Sequence, residues 1–149
     1  MLEDTTIVFD LDGTLIDTAP DLTNALNHAL ARADQAPISA ATVRSLVGQG
    51  ARVMIEEGLR QAGVEGDLDA LLGDFLIHYE ANIAAESRPF PGAVAALDRL
   101  AAEGARLAVC TNKRESLSRR LLQSLSSNAI SARSLGATRS RWQSPTRAI

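Results

Sequence analysis

One cysteine in 149 residues, Cys110, excludes an internal disulfide and fits a reducing compartment. No apolar run approaches the ~20 residues needed to span a bilayer, and Glu3 and Asp4 stand where a targeting segment would be basic. The cytoplasm is therefore expected, with no membrane partner. Cys/His pairs at metal-ligand spacing are lacking, and His28 and His78 fall in helical patterns that need no ligand. Acid runs out at Glu115 and lysine at Lys113. Residues 126–149 accordingly hold four arginines (Arg133, Arg139, Arg141, Arg147) and no acid, whereas residues 1–125 hold eleven bases against eighteen acids. Scattered arginines with no aromatic beyond Trp142 make a poor nucleic-acid surface, so no nucleic-acid partner is expected. What remains, at 46% hydrophobic, is enough for the core of one ordinary domain.

The most informative segment is Ile-Val-Phe-Asp-Leu-Asp-Gly-Thr-Leu-Ile-Asp, residues 7–17. Thr5 to Phe9 are uncharged and mostly β-branched or aromatic, which suits a strand buried on both faces, and Asp10 falls where that strand emerges. Asp10 and Asp12, two residues apart, can converge on one hard cation if the chain curls after the strand. Gly13 supplies the freedom for that curl. A reactive carboxylate, a second carboxylate and a flexible turn at a strand end are the elements of a phosphoryl-transfer site.

Beyond this strand, Thr18 and Asp21 are spaced as a capping box with Pro20 in the first turn, and the apolar period predicts a helix to about Arg32. Ser39 can cap a second helix through Leu46, and Gly48-Gln49-Gly50 interrupt before a third over 51–62. A fourth is predicted over 68–85. These four helices look like an inserted bundle, residues 18–88. Arg88-Pro89-Phe90-Pro91-Gly92 is a stiff return to the main domain. A helix over 93–102 and a buried strand from Arg106 to Thr111 follow, with Cys110 as a small buried apolar residue and Asn112 and Glu115 spaced as a capping box for the next helix. Alternating strand and helix favours a parallel sheet with its ligand site at the carboxyl ends of the strands, where Asp10 and Thr111 both fall. Thr111, Asn112 and the free amides of the helix start would suit a phosphate. Gly48 and Gly50 can let the bundle's backbone approach a substrate, while Arg52 reads as a solvated surface residue.

Asp-x-Asp-Gly-Thr after an apolar strand, continued by Asp17, resembles the first motif of the haloacid dehalogenase superfamily. Leu-Ala-Val-Cys-Thr-Asn-Lys resembles its second motif. Val-Gly-Gln-Gly and Pro-Phe-Pro-Gly extend the likeness to the phosphoglycolate phosphatase branch over residues 1 to about 125. The resemblance implies an α/β fold, a Rossmann-like parallel sheet core (1–17 and 89–125) with an inserted all-helical cap (18–88). It implies Asp10 as nucleophile, Asp12 as general acid and base, and Thr111 with Asn112 as phosphate holders. It also implies Mg2+ on the Asp10 carboxylate and the Asp12 carbonyl, and a small phosphorylated metabolite as substrate. A sugar-phosphate mutase, or a non-catalytic fragment that keeps phosphate or magnesium affinity, are the alternatives.

The same resemblance calls for a lysine before Pro-Asp-Pro and an acidic pair after residue 125, and the chain has neither. The core is therefore expected to be incomplete at its C-terminus, with an unpaired sheet edge and an uncovered face. Reading each tail codon's third base with the next two allows, from Arg133 to Arg147, Ile-Val-Gly-Arg-Asp-Thr-Leu-Ala-Val-Ala-Lys-Pro-Asp-Pro. The alanine before that lysine is forced by Trp142 and Gln143. Residues 126–149 are thus expected to be out of frame, or else a divergent, disordered tail. Sequencing the coding DNA tests the first reading: one base restored near the Ser126 codon should open a frame that continues into an acidic pair, and a frame lacking the Lys-Pro-Asp-Pro codons would dismiss it.

Overall fold

The computed structural model describes residues 1–63, 65–126 and 135–139. Strand β1 (Thr6–Phe9) pairs in parallel with β4 (Arg106–Cys110), from Thr6 opposite Arg106 to Phe9 opposite Val109. A further strand, β5 (Leu135–Arg139), pairs in parallel with the other edge of β4 and gives the order β1-β4-β5. Part of the tail expected to lack regular structure is therefore a strand. It supplies ladder partners that this edge of β4 would otherwise lack. The rest of residues 127–149 lies outside the described residues.

Side-chain alternation along the paired strands puts Ile7, Phe9, Leu107 and Val109 on one face, joined in one core with Leu97 of α5 (Ala93–Ala102) and Leu117 and Leu121 of α6 (Glu115–Ser126). The opposite face is uncovered among the described residues. Val8 is 58% exposed there, and Cys110, expected to be buried, is exposed as well. The strand expected to be covered on both sides is covered on one, because an apolar run fits a buried strand only where a second layer exists to bury it.

Between β1 and α5 stand four helices, α1 (Ala19–Arg32), α2 (Ala40–Leu46), α3 (Ala51–Ala62) and α4 (Leu68–Ala81). Leu22, Leu26 and Leu30 of α1 share the buried core with Val43, Ile55, Phe75 and Tyr79. Ser39 caps α2 by accepting from Thr42 N, as its position predicts. The chain leaves the sheet and returns through a two-stranded antiparallel ribbon, β2 (Ile16–Asp17) against β3 (Arg88–Pro89). Bonding from Phe90 N to Leu15 O, 3.0 Å, continues that junction.

The capping box expected at the start of α1 does not form. Thr18 makes no side-chain cap bond, and Asp21 turns inward to the segment after α4. Its carboxylate accepts from Glu86 N and Ser87 N, both 2.9 Å, from the Ser87 hydroxyl at 2.6 Å and more distantly from Ala84 N. That grip holds Ala84 at φ 110°, a conformation costly for a residue with a side chain, and explains why α4 ends at Ala81 rather than near Ala85. Replacing Asp21→Ala strips partners from buried amides, each worth about 1–3 kcal/mol. The expected loss is about 2–5 kcal/mol, read from the urea midpoint; a shift below about 0.5 kcal/mol would refute this role.

Candidate active site

The curl after β1 is built from main-chain bonds. Leu15 N and Ile16 N both donate to Leu11 O at 3.1 Å, and Gly13 N donates to Ile16 O at 2.9 Å with Gly13 at φ 78°. Only a residue without a Cβ adopts that φ at little cost, and a Cβ there would come within 3.1 Å of Val47. The curl leaves Asp10 exposed at the strand end. One of its oxygens, Oδ1, accepts from Leu11 N at 2.7 Å, which fixes the carboxylate. The other faces the cap loop: a Cβ added to Gly48 would lie 3.7 Å from Asp10 Oδ2. Gly48, at φ 90°, thus brings cap backbone over Asp10, while Gly50, at φ 96°, opens the start of α3.

The Asp12 carboxylate faces Lys113, at the start of the turn into α6. It is buried, 8% exposed, and Lys113 Nζ lies 3.0 Å from its Oδ1. The contact is an ion pair, and the Lys113 ammonium is the partner of Asp12 Oδ1 there. Lys113 Nζ also stands 4.5 Å from the centre of the Tyr79 ring. Burial would lower the Lys113 pKa, but the Asp12 carboxylate and Tyr79 outweigh it and hold the ammonium above its usual value. The contribution of the Lys113 ammonium to stability is therefore present throughout neutral pH and is lost as pH climbs through that raised value. Tyr79 is pushed up, first by its burial.

Lys113 is the residue that sequence reasoning missed. A lysine in a strand-to-helix turn reads as a solvated charge, and only the tertiary fold shows it capped by Tyr79 from the fourth helix. Asn112 was expected to cap α6, but the helix begins at Glu115, with Ser118 N bonded to Arg114 O. Freed from capping, Asn112 Nδ2 donates to Gly48 O at 2.7 Å, a direct bond from the core to the cap loop. Buried Thr111, 5% exposed, accepts from Lys113 N at 3.2 Å and so shapes the turn that follows β4. Arg52 pairs with Asp69, yet it reaches the same cavity as Asp12, Asn112 and Lys113.

The donors here suit a hard cation that keeps most of its water. They comprise the exposed Asp10 carboxylate and the main-chain carbonyls of the curl, and among the described residues no three His, Cys, Asp or Glu side chains gather into a cage. Mg2+ is commonly held in this way, by one or two carboxylates and substrate phosphate.

A parallel sheet, a helical insertion after its first strand and an acid at that strand's end define the class of fold. A family model for haloacid dehalogenase-like hydrolases matches residues 5–139, and the chain belongs to that family. It is 50% identical over 121 residues to a phosphoglycolate phosphatase of Agrobacterium fabrum, covering 79% of this chain and 52% of that protein. It is 46% identical over 139 residues to one of Caulobacter vibrioides, covering 91% and 59%. A solved structure from Haemophilus somnus 129pt, described as a predicted phosphoglycolate phosphatase, superimposes with a TM-score of 0.74 at 30% identity, over 83% of this chain and 58% of that one. The chain spans little more than half the length of these relatives.

The Asn112 bond makes a direct prediction. Asn112→Ala should speed hydrogen exchange at the Gln49 amide, which bonds to Leu46 O within the loop, by about 2- to 10-fold, the effect of one exposed hydrogen bond. Exchange within α1 should stay as it was. An unchanged loop would show that Asn112 does not hold it.

Proposed function

We propose that this chain carries the nucleophilic part of a phosphatase acting on small phosphate monoesters of the phosphoglycolate kind. The observation behind this reading is Asp10, exposed at the carboxyl end of β1 beneath Gly48, with Thr111 at the same end of the paired strand β4. The domain division follows: residues 1–17 and 89–125 form the core and 18–88 the cap.

In the reaction, an Asp10 oxygen forms a bond to phosphorus as the ester P–O bond breaks, giving an aspartyl-phosphate. Asp12 passes a proton to the departing alkoxide, then takes one from the water that splits the intermediate to release inorganic phosphate. Thr111 and Asn112 hold the non-bridging oxygens. Mg2+, bound by the Asp10 carboxylate and the Asp12 carbonyl, would offset repulsion between carboxylate and phosphate. The cap loop at Gly48, tied by Asn112, covers the site and limits water. The single cysteine supports a reducing, cytoplasmic setting; among the described residues no helix is long and apolar enough to cross a membrane.

Activity should nonetheless be weak. No lysine follows Lys113 and no acid follows Glu115, so a fixed cation and a pair of metal ligands are missing from the second half of the chain. Each such electrostatic contact is typically worth ~10²- to 10³-fold in rate. The purified chain should turn over phosphoglycolate at least ~10⁴-fold more slowly than a full-length relative, with Asp10→Asn removing what remains. A rate near that of the relative, lost on Asp10→Asn, would overturn the proposed deficit. Hydrolysis unaffected by Asp10→Asn would overturn the role of Asp10. Conversion of a sugar phosphate to its isomer without release of phosphate would favour the mutase reading.

A further inference from the structure

The loop over Asp10 hangs from α2, and α2 has little apolar anchorage of its own. Among the described residues it buries one side chain, Val43. Helices in proteins draw most of their stability from packing, so a helix of seven residues with one buried side chain must be held by its ends. The segment before it is held to α1: Asn27 Nδ2 donates to Ile38 O at 3.0 Å, and Ile38 N donates to Asn27 Oδ1 at 2.8 Å. The far end is held by Arg44. Its Nη1 donates to Asp17 Oδ1 and its Nη2 to Asp17 Oδ2, each at 2.9 Å, so guanidinium and carboxylate meet as a fork.

Asp17 stands in β2 opposite Arg88 of β3, in the ribbon through which the chain leaves the sheet and returns to it. Ala19 N, at the start of α1, donates to the same Oδ1 at 3.3 Å. The fork therefore joins α2 to the junction of core and cap. Arg44 precedes Val47, which packs on the curl at Gly13, and Gly48, which lies over Asp10 Oδ2. A tilt of α2 at Arg44 carries that loop across Asp10 by a comparable distance. Exposed ion pairs contribute little to global stability, and the Arg44 side chain is 51% exposed. What a bidentate pair adds is geometry, because two parallel bonds fix direction as well as distance.

We propose that Arg44 and Asp17 are positioning residues for attack by Asp10: the fork sets the angle of α2 on the ribbon and so holds the Val47–Gly48 backbone at its distance from the Asp10 carboxylate. The proposal rests on the reading of Asp10 as nucleophile. Neither side chain lines the cavity between cap and sheet among the described residues, so both act through the loop and not on the substrate. A misplacement of about 1 Å can cost ~100-fold in rate. Asn112 grips the same loop from the core side, which limits the displacement when the fork is lost. The loss falls on the rate of attack and leaves substrate affinity nearly as it was.

Turnover of p-nitrophenyl phosphate in Mg2+, an ester whose good leaving group keeps a slow enzyme measurable, tests this beside hydrogen exchange. Arg44→Met should lower kcat about 10-fold with KM within about 3-fold of the parent. The Gln49 amide, bonded to Leu46 O, should exchange faster while the amides of α1 keep their rates. Asp17→Asn should do the same, and the double variant should lose no more than either single one, since the two side chains act as a unit. Arg44→Lys keeps the charge without the fork and should restore only part of the rate. A kcat within about 2-fold of the parent in Arg44→Met, a raised KM at constant kcat, losses that multiply in the double variant, or faster exchange throughout α1 would each overturn the positioning role. If Asp10→Asn still abolished turnover, the phosphatase reading would stand. No Asp10-dependent turnover in the parent would overturn both.

Discussion

Parallel pairing of β1 with β4 is the constraint on which the site depends. Phe9 stands opposite Val109, so Asp10 and Thr111, about a hundred residues apart in sequence, emerge from one end of one sheet. Closing so long a connection costs little more than closing a short one, because loop entropy grows only with the logarithm of length. The chain uses that tolerance to insert four helices. The ribbon of β2 and β3 brings the two ends of the insertion together, so it sits on the sheet by both of its ends.

Polar contacts then fix the insertion's internal shape and its position over Asp10. Asp21 ties the start of α1 to the turn after α4 and keeps Ala84 in a strained conformation. Asn112 ties the loop at Gly48 to the end of β4, while Lys113 is enclosed between Asp12 of the curl after β1 and Tyr79 of the fourth helix. A buried charge pair is not by itself strong evidence of stabilisation, since desolvation offsets attraction.

Much of this was legible in the sequence because it is local. Helical spacing located α1 to α4 closely, and the apolar runs marked β1 and β4. The motif around Asp10 marked the strand end. Misreadings arose where a local pattern fits but a distant partner wins. Thr18 and Asp21, and again Asn112 and Glu115, have capping-box spacing. Asp21 instead finds three amides more than sixty residues away, and Asn112 finds the carbonyl of Gly48. Exposure of Val8 and Cys110 could not be read from their own strands, because burial of a second face depends on what lies against it. Lys113 stood in the second motif without a role of its own, because its environment is assembled from three separate elements.

The central claim is that Asp10 carries the phosphoryl group during reaction. Its most direct test is mass spectrometry of protease fragments after incubation with phosphoglycolate and Mg2+, long enough for a slow turnover, followed by an acid quench. One phosphoryl group should appear on the fragment containing Asp10, should be removed by hydroxylamine as an acyl phosphate is, and should be missing from Asp10→Asn. Phosphorylation that persists in Asp10→Asn, or hydrolysis of the ester with no modified fragment at any time, would contradict the account.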